Sequence, residues 1–492
     1  MIILSVTART VQAAMAEIRS SARYADMIEL RLDLIRPGRG RIGELIRAAH
    51  RPVIATCRPR WEGGSFTGSE RERARVLEAA ARAGARYLDI ELQAWPSLVP
   101  ALGAVPVPGL IASVHHFGPR HPRSERVYEN LCGVKADVVK YAFMASDIAD
   151  VLEVQRFLEH ARRDARPAIA IAMGPDGELS RILYRKLGSW ATYGSPVSGR
   201  PSAPGQPTVA ELRELYRAHR LGSRTRVFGV VGNPVAQSKG VQIHNRLLYG
   251  DEAVYCRLRV RDLRSFMASV APLLAGFSVT IPYKEAILPY LDTIDRHARA
   301  IGAANTVVKK RGRFWGTNCD GRGALEAIER TMRVRGKVVL ILGAGGTARA
   351  IASEARRRGA TVVIAGRTMS RTRRLAREFG ARAVPLESAG EEAFDILVNA
   401  TSIGMAPRER ATPIRASSLR GKVVFDAVYN PPHTRLLREA RRVGARTVAG
   451  TAMFINQAAM QFRLFTGRDP DRGLMERTLK RALATKPRSR SV

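Results

Sequence analysis

Short apolar runs alternate with helical segments over the first 220 residues of the chain. The apolar runs are 2–6, 27–32, 52–57, 86–92, 109–114, 137–143, 167–173 and 189–193. The segments between them are rich in Ala, Arg and Glu and have apolar residues at helical spacing, as in Glu70–Ala83. A doubly wound sheet would also alternate strands with helices, but eight regular units favour closure. The pattern therefore predicts an α/β fold that begins with a (β/α)₈ TIM barrel.

The pattern changes after a short polar stretch at 216–226. A new strand begins at residue 226, and mixed strands and helices continue to residue 325. An apolar strand at 337–342 then leads directly into a glycine-rich turn, a helix and a second strand at 361–365. This order is a βαβ unit, which predicts a nucleotide-binding sheet of the Rossmann type.

The net charge is the unusual part of the composition. Lys and Arg number 81 against 44 Asp and Glu, which gives +37, and 70 of the 81 are arginines. Such a charge is typical of nucleic-acid-binding proteins. The arginines are, however, spread over the whole chain and are not interleaved with aromatic residues. We therefore expect solvated helix faces and no specific nucleic-acid partner, with weak, salt-dependent attraction to polyanions.

Composition excludes several other classes of protein. The 492 residues correspond to two to four globular domains, and the 45% hydrophobic content is too high for a disordered chain. No apolar run reaches the ~18 residues of a membrane span, and Met1–Val6 is typical of a strand rather than of a signal peptide. The four cysteines are scattered without a CxxC pair, which predicts a cytoplasmic location and no metal site.

Polar residues come late in the predicted barrel strands, where the strand ends of a barrel form the active-site mouth. They are Glu29, Arg31, Arg58, Asp89, Glu91, His115, Lys140 and Tyr193. Lys140 lies in an apolar strand, where an ammonium is costly to bury and a free amine suits imine formation with a ketone. A structural ion pair with a barrel carboxylate is the alternative. His115, at the end of its strand, is a candidate proton carrier.

The first 221 residues resemble a type I 3-dehydroquinate dehydratase. The matching pieces are Glu29–Asp33, Thr56–Arg58, Glu62–Gly64, Ser113–Phe117, Lys140, Met173–Gly174, Ser180–Arg181, Gly188–Ser189 and Ser202–Gln206. The resemblance implies that Lys140 forms an imine with the substrate, that His115 moves protons and that Glu62 orients His115. It implies no metal. It also implies that Arg181 holds the substrate carboxylate and that five residues bind hydroxyls or shape the pocket: Glu29, Arg31, Arg58, Ser202 and Gln206.

The glycine-rich turn of the second half is Gly343-Ala344-Gly345-Gly346-Thr347-Ala348, between a strand and a helix. Such a turn lets the backbone approach a pyrophosphate at the helix N-terminus. The next strand leads into Arg367 and Thr368 rather than an acidic residue, which favours NADP over NAD. Alternatively, Arg367 is one more surface arginine. Upstream, Lys284 and Asp320 are a candidate pair for proton relay during hydride transfer.

Residues 226–485 resemble shikimate dehydrogenase. The matching motifs are Gly232–Pro234 with Ser238, Val279–Lys284, Gly302–Thr306, Asn318–Gly321, the 343–348 turn, Asn399–Met405, Asp426–Pro431 and Gln457–Ala459. The resemblance implies catalysis by Lys284 and Asp320, and NADP(H) held by the turn with Arg367 and Thr368. The implied substrate-binding residues are Ser238, Thr280, Asn305 and Gln457. The implied domains are the barrel 1–221, a substrate-binding domain 226–325, a Rossmann domain 326–450 and C-terminal helices 451–485 that return to the substrate-binding domain.

Three positions depart from the shikimate dehydrogenase pattern. The usual Ser-x-Ser-Pro is Ser238-Lys239-Gly240-Val241, Ser278 replaces an Asn before Val-Thr, and Gly366 replaces an Asn before Arg-Thr. A lost hydrogen bond to a charged group costs roughly 1.5–3 kcal/mol unless another residue, such as Lys239, replaces it. Gly240 also leaves room for an extra hydroxyl, as in quinate.

The sequence thus predicts a bifunctional enzyme of the shikimate pathway, which supplies aromatic amino acids. A lyase half dehydrates 3-dehydroquinate to 3-dehydroshikimate, and an oxidoreductase half reduces that product to shikimate with NADPH. The partners are therefore small molecules, without nucleic acid or membrane. Three alternatives remain: a quinate or quinate/shikimate dehydrogenase in the second half, a polyanion-binding protein, or a degenerate second half.

Overall fold

A computed structural model describes residues 1–35, 41–103, 109–118, 120–199, 201–203 and 205–484. Its strands are β1 (Ile2–Val6), β2 (Met27–Arg31), β3 (Val53–Thr56), β4 (Tyr87–Glu91), β5 (Leu110–His116), β6 (Val138–Met144), β7 (Ala168–Met173), β8 (Thr192–Gly194), β9 (Arg226–Gly232), β10 (Ala253–Arg259), β11 (Gly276–Val279), β12 (Thr293–Ile294), β13 (Thr306–Lys310), β14 (Arg313–Thr317), β15 (Val338–Leu342), β16 (Thr361–Gly366), β17 (Arg382–Pro385), β18 (Ile396–Asn399), β19 (Val423–Asp426) and β20 (Arg446–Ala449).

The helices lie between these strands and after the last of them. They are α1 (Val11–Ser21), α2 (Leu32–Ile35), α3 (Ile42–Ala49), α4 (Glu70–Arg82), α5 (Trp95–Ala101), α6 (Ser124–Cys132), α7 (Val151–Arg163), α8 (Glu178–Ile182), α9 (Tyr184–Leu187), α10 (Gly240–Leu247), α11 (Leu263–Ser269), α12 (Arg296–Ile301), α13 (Asp320–Glu329), α14 (Gly346–Arg357), α15 (Met369–Glu378), α16 (Arg435–Arg442), α17 (Gly450–Thr466) and α18 (Arg472–Ala484). Within the part of the chain that the structure describes, no helix is long and apolar enough to cross a membrane.

The chain divides into two compact units. Among the described residues, the first consists of 1–227 with 250–273, and the second consists of 228–249 with 274–484. Residue 485, the predicted end of the C-terminal helices, and Pro204, part of a predicted barrel motif, lie outside the described residues.

The first unit contains an eight-stranded sheet in the order β7-β6-β5-β4-β3-β2-β1-β8. Its neighbouring strands are parallel. The backbone N–H of Trp190, just before β8, donates to the Ala168 carbonyl at the start of β7 at 2.8 Å, so the sheet nearly closes on itself. The predicted TIM barrel is confirmed.

Side chains inside the barrel form layers because alternate residues of each strand point inward. One hydrophobic cluster includes four isoleucines from alternate strands: Ile3, Ile54, Ile111 and Ile169. Two residues further along β1, β3 and β5, the same face carries Ser5, Thr56 and Ser113, which are fully buried. The Ser5 and Thr56 hydroxyls both donate to the Glu29 carboxylate. The apolar floor of the barrel thus gives way to a polar layer toward the carboxyl ends of the strands.

The second unit contains two groups of strands. The first runs β9-β11-β13-β14-β12, with antiparallel pairing of β13 to both β11 and β14. The second runs β17-β16-β15-β18-β19-β20 and is parallel throughout. Numbered from β15, the second order is 3-2-1-4-5-6, which is that of a Rossmann fold. The predicted Rossmann sheet is therefore confirmed.

Alternation also explains why the Rossmann sheet is covered on both faces. Val339 and Ile341 of β15 belong to one hydrophobic cluster with residues of α13 and α14, whereas Leu340 and Leu342 belong to another with residues of α16. Helix α17 lies close to α13, where a Cβ at Gly323 would come within 3.1 Å of the Gln457 backbone nitrogen. This approach packs α17 closely against α13.

Candidate active sites

Lys140 lies in a buried cluster of polar side chains inside the barrel. Its Nζ is 2.8 Å from Asp89 Oδ2, 3.9 Å from Glu29 Oε1 and 4.4 Å from the centre of the Tyr193 ring. The ion pair with a barrel carboxylate, which the sequence left open as an alternative for this lysine, is therefore present. Strand alternation directs Lys140 inward to the carboxylates, while its apolar neighbours in sequence point the other way.

Asp89 is the centre of this cluster. Besides Lys140, it accepts hydrogen bonds from Arg58 Nη2 at 2.8 Å and from Ser113 Oγ at 2.7 Å. Although burial favours the neutral acid, Arg58 and Lys140 hold the pKa of Asp89 well below its usual range. Arg58 also donates to Glu91 Oε1 at 2.6 Å. The cluster therefore holds an ionised carboxylate beside the lysine amine.

His115 and Glu62 form a second pair in this unit. Glu62 Oε1 is 2.7 Å from His115 Nδ1 and also accepts the His115 backbone N–H at 2.9 Å. Burial, with the positive charges of Arg58 and Lys140, lowers the pKa of His115 well below 6.5. Burial also raises the pKa of Glu62 to about 8, against the opposing charge of Arg58. The imidazole is thus kept neutral with Nδ1 engaged, which leaves Nε2 for a substrate.

Several buried polar atoms of the first unit lack hydrogen-bond partners among the described residues, and Arg181 Nε, the Tyr193 hydroxyl and Gln206 Nε2 are among them. Arg181 is 3% exposed, and Nη1 donates to the Tyr193 carbonyl at 3.2 Å. Burial lowers the pKa of Arg181 to about 10, and no described carboxylate forms an ion pair with it. Because buried polar groups are normally paired, these orphans indicate a polar, anionic ligand.

Three further predicted residues are engaged by neighbours. Glu29 is held by the hydroxyl layer of the barrel. Arg31 forms a two-pronged ion pair with Asp33, with N–O distances of 2.9 and 2.8 Å. Ser202 donates to Gln206 Oε1 at 2.8 Å, which orients that amide. These contacts fix the positions of the three side chains in the structure.

Lys284 and Asp320 meet in the second unit although 36 residues separate them. Lys284 Nζ donates to Asp320 Oδ2 and, at 3.3 Å, to Thr347 Oγ1 of the glycine-rich turn. Asn305 Nδ2 donates to the other Asp320 oxygen at 2.8 Å. Asp320 begins α13 and is 3% exposed. The pair therefore lies beside the glycine-rich turn, near the end of β11 and the start of β13.

Asn305 is supported by two glutamines of α17. Its Nδ2 is 3.3 Å from Gln457 Oε1, and its carbonyl accepts from Gln461 Nε2 at 3.3 Å. Gln461 was not predicted from the sequence, although its position one turn after Gln457 places both on one helix face. Ser278, which replaces an Asn, donates to Gln461 Oε1 at 2.9 Å. This bond gives the shorter side chain a structural partner.

The remaining predicted substrate residues lie at strand and helix ends. Ser238 precedes α10, and Thr280 follows β11. Neither side chain hydrogen-bonds to Lys284 or Asp320 in the described part of the chain. A Cβ at Gly232 would lie 2.4 Å from Thr280 Cγ2, so the glycine allows the ends of β9 and β11 to approach.

The glycine-rich turn connects β15 to α14. Gly343 has a φ of 109°, which disfavours any side chain, and a Cβ at Gly345 would meet nothing within 4 Å. A Cβ at Gly346 would be 3.4 Å from Lys284 Cδ. The turn thus leaves its backbone open at a helix N-terminus, as a pyrophosphate requires, and puts the lysine beside it.

The end of β16 carries the predicted cofactor-specificity residues. Arg367 and Thr368 are both exposed there, and no described residue forms an ion pair with Arg367. A Cβ at Gly366 would lie 2.2 Å from Thr372 Oγ1. The glycine found where related chains have Asn therefore fits the close approach of α15. These residues fit the 2′-phosphate of NADP(H) better than a free ribose hydroxyl.

Family models match both parts of the chain. Type I 3-dehydroquinase matches residues 2–223, the shikimate dehydrogenase substrate binding domain 230–307, shikimate/quinate 5-dehydrogenase 326–425 and the shikimate 5′-dehydrogenase C-terminal domain 450–480.

Several relatives share these parts. A bifunctional 3-dehydroquinate dehydratase/shikimate dehydrogenase of Arabidopsis thaliana is 38% identical over 473 residues, which covers 90% of this chain and 78% of the relative. A shikimate dehydrogenase (NADP(+)) of Pyrococcus abyssi is 40% identical over 51% of this chain and 96% of its own length. A crystal structure of shikimate dehydrogenase in complex with NADP+ matches with 36% identity and a TM-score of 0.51, covering 54% of this chain and 98% of that one. The resemblance predicted from the motifs is confirmed: the chain belongs to the family of bifunctional 3-dehydroquinate dehydratase/shikimate dehydrogenases.

Proposed function

We propose that the first unit dehydrates 3-dehydroquinate to 3-dehydroshikimate through an imine at Lys140, and that the second reduces this product to shikimate with NADPH. The observation that carries the proposal is the pair of lysine–aspartate centres, one in each unit: Lys140 with Asp89, both buried, and the half-buried Lys284 with the buried Asp320. Each is surrounded by groups suited to its own reaction.

In the dehydratase, the Lys140 amine adds to the ring ketone and the carbinolamine loses water to form an iminium. The carboxylates of Asp89 and Glu29 flank Nζ and stabilise its positive charge. His115 Nε2 then removes the adjacent ring proton, and the electron pair moves into the iminium to give an enamine. The enamine expels the hydroxyl, which takes a proton from His115 and leaves as water. Hydrolysis of the imine then releases the product and restores Lys140.

Substrate binding in this unit is assigned to the unpaired polar groups. Arg181 holds the carboxylate, because it is a buried cation without an anion among the described residues. Gln206 and the Tyr193 hydroxyl lie ready for substrate hydroxyls. Glu62 keeps Nδ1 of His115 occupied so that Nε2 is the reactive nitrogen.

In the dehydrogenase, Lys284 donates a proton to the carbonyl oxygen that becomes the hydroxyl. Asp320 holds its ammonium in place, and Asn305 in turn donates to Asp320. NADPH, when bound, supplies the hydride. The 343–348 turn, Arg367 and Thr368 hold it, and the NADP dependence of the relatives supports this choice. We assign no step to a metal.

The proposal extends to organisation and location. The barrel is assigned to 1–221, the substrate-binding domain to 226–325, the Rossmann domain to 326–450 and the C-terminal helices to 451–485. The relatives named above support small-molecule substrates, and we propose no nucleic-acid partner. Four free cysteines, three of them buried, support a cytoplasmic location.

A quinate or quinate/shikimate dehydrogenase is the second candidate for the second unit. Gly240 stands where a hydroxyl donor is usual, and the family model over 326–425 describes both substrates. Steady-state oxidation of shikimate and quinate with NADP+ separates the two. A large preference for quinate contradicts the primary assignment, and Gly240→Ser should shift the ratio toward shikimate.

A coupled assay with the full chain, 3-dehydroquinate and NADPH tests the main proposal. We expect one NADPH oxidised per shikimate formed. Lys140→Ala should abolish dehydration but still reduce added 3-dehydroshikimate, and Lys284→Ala should do the reverse. Lys135→Ala, at an exposed lysine before β6, is the matched control and should change neither rate.

Borohydride trapping tests the imine directly. With substrate present, reduction should add the mass of the trapped ligand to the peptide that contains Lys140. An active enzyme that is never labelled there would contradict the imine mechanism.

A further inference from the structure

A threonine hydroxyl of the second unit lies between the side-chain amides of Asn305 and Gln461. Thr306 is the first residue of β13 and is fully buried. Its Oγ1 donates to Asn305 Oδ1 at 2.7 Å and accepts from Gln461 Nε2 at 3.2 Å. Cys319 Sγ, 3.6 Å away, is a weaker acceptor for the same proton. The Thr306 hydroxyl therefore connects the two amides.

Two backbone groups fix the orientation of these amides. The Asn305 carbonyl can only accept a hydrogen bond, and Gln461 Nε2 donates to it at 3.3 Å. The Cys319 N–H can only donate, and Asn305 Oδ1 accepts from it at 2.9 Å. Gln461 thus presents its nitrogen to the Thr306 hydroxyl, and Asn305 presents its oxygen. The one proton of the hydroxyl consequently points to Asn305.

The hydrogen bonds run in one direction toward a catalytic carboxylate. From the first donor to the last acceptor, the order is Ser278, Gln461, Thr306, Asn305 and Asp320. All five side chains are buried. In such a chain of hydrogen bonds, each bond polarises the next one. The carboxylate at its end is the one that holds the catalytic lysine.

We propose that Thr306 is a positioning residue of the dehydrogenase site, which fixes the Asn305 amide so that its Nδ2 faces Asp320. This inference rests on the proposed role of Asp320 in holding Lys284 for proton transfer. Two bonds to Asn305 Oδ1, one from Thr306 and one from the Cys319 N–H, fix the plane of the amide. With the second bond alone, the amide can rotate about it, and the bond from Nδ2 to the carboxylate loses its alignment. The lysine is then held less well for the substrate.

Dehydrogenase kinetics of two variants in the full chain test this idea. Thr306→Val removes the hydroxyl and keeps the branched shape that suits a strand. We expect kcat for shikimate oxidation to fall about tenfold, the effect of one hydrogen bond, and KM for NADP+ to stay within about twofold. Thr306→Ser restores the hydroxyl and should return kcat to within about threefold of the unmodified enzyme. Circular dichroism checks that each preparation is folded.

A double-mutant cycle shows whether Thr306 acts through Asn305. In an Asn305→Ala chain, the further change Thr306→Val should alter kcat by no more than about twofold, because the amide that the hydroxyl positions is already absent. A general loss of structure would lower kcat by the same factor in both backgrounds. If Thr306→Val does not fold, Thr306→Ala in the same two backgrounds gives the same comparison.

Thr317 provides the matched control. It lies opposite Thr306 in the pairing of β13 with β14 and is also buried. Its hydroxyl donates to Asp295, the residue before α12. Thr317→Val therefore removes a buried hydroxyl of the same sheet that is bonded outside the chain of hydrogen bonds to Asp320. We expect kcat of this variant to stay within about twofold of the unmodified enzyme.

Three results would overturn the inference: kcat of Thr306→Val within about twofold of the unmodified enzyme, a Thr306→Ser variant as slow as Thr306→Val, or the same fall in kcat in both backgrounds of the cycle. Failure of the proposed function looks different. In that case the unmodified chain itself oxidises neither shikimate nor quinate with NADP+, and there is no kcat to compare.

Discussion

Replacement of Arg181 by Met should weaken dehydratase activity and at the same time stabilise the barrel. Arg181 is 3% exposed, forms no ion pair with a described carboxylate and has an unpartnered Nε. Methionine keeps much of the length of the side chain and removes its charge. The two effects have separate physical origins, and each magnitude follows from the structure.

The functional loss follows from the bonds that the substrate carboxylate makes. A guanidinium can donate two hydrogen bonds to one carboxylate, and each is worth roughly 1.5–3 kcal/mol. Their loss gives about 3–6 kcal/mol, or a fall of about 10²–10⁴ in kcat/KM at roughly 1.4 kcal/mol per factor of ten.

The gain in stability follows from the lowered pKa. Burial lowers the pKa of Arg181 from its ordinary value to about 10, so the folded state binds this proton less tightly than the unfolded chain. Below pH 10 the group is charged in both states, and the full penalty of about 3 kcal/mol opposes folding. The penalty falls only as pH rises above 10 toward the pKa of the unfolded chain. At neutral pH, removal of the charge should therefore raise the free energy of unfolding by up to about 3 kcal/mol.

Hydrogen exchange of barrel-strand peptides measures the stability of this unit alone, which a two-unit chain requires. Arg73→Met is the matched control. Arg73 is fully buried but pairs with Glu91 and Glu70, so its loss should destabilise the barrel by about 3–5 kcal/mol. An Arg181→Met variant with unchanged kcat/KM, or one destabilised like Arg73→Met, would refute the assignment of Arg181 as an uncompensated anion receptor.

Three further predictions concern the second unit. Lys284→Met and Asp320→Asn should each lower kcat for shikimate oxidation by about 10²–10⁴ without changing dehydration, as parallel assays of one preparation will show. Arg367→Ala should raise KM for NADPH about tenfold and leave KM for NADH unchanged; equal effects on both cofactors would contradict a 2′-phosphate contact. Burial raises the pKa of Asp426 to about 6, so its ionisation opposes folding above pH 6 and not below its unfolded pKa of 3.8. Asp426→Asn should thus stabilise the unit by up to about 3 kcal/mol at pH 8 and by nothing near pH 3.5 in urea titrations.

The barrel was predictable because its signal is local. Alternation and run length mark each strand, and the eight predicted runs coincide with β1 to β8 to within about three residues. The largest difference at the site is β5, which extends through His116 rather than ending at 114. Its last residues, His115 and His116, still pair with Ala142 and Phe143 of β6. The apolar run ends earlier than the strand because polar residues begin where the strand reaches the mouth.

Contacts across the chain were not predictable from spacing. Asp89 lies 51 residues from Lys140, and no pattern in either strand indicates that the two side chains meet. The assignment of 250–273 to the first unit has the same origin, since it depends on packing between segments far apart in sequence. Motifs identified the reactive lysines, but only the fold identifies what surrounds each one.

The arginines show most clearly what the fold adds. In the sequence, motifs single out Arg58 and Arg181 from the set of 70 arginines, but no pattern shows which arginines are buried or which of them meet a carboxylate. In the structure Arg58, Arg73 and Arg257 are buried and each meets a carboxylate, whereas the buried Arg181 meets none among the described residues. An uncompensated buried charge destabilises a fold. Its presence is therefore explained by a ligand of opposite charge that binds to it. The net positive charge is typical of proteins that bind polyanions, but most of it says little about function. The informative group is the guanidinium of Arg181, because the anion that it lacks matches the carboxylate of a small substrate.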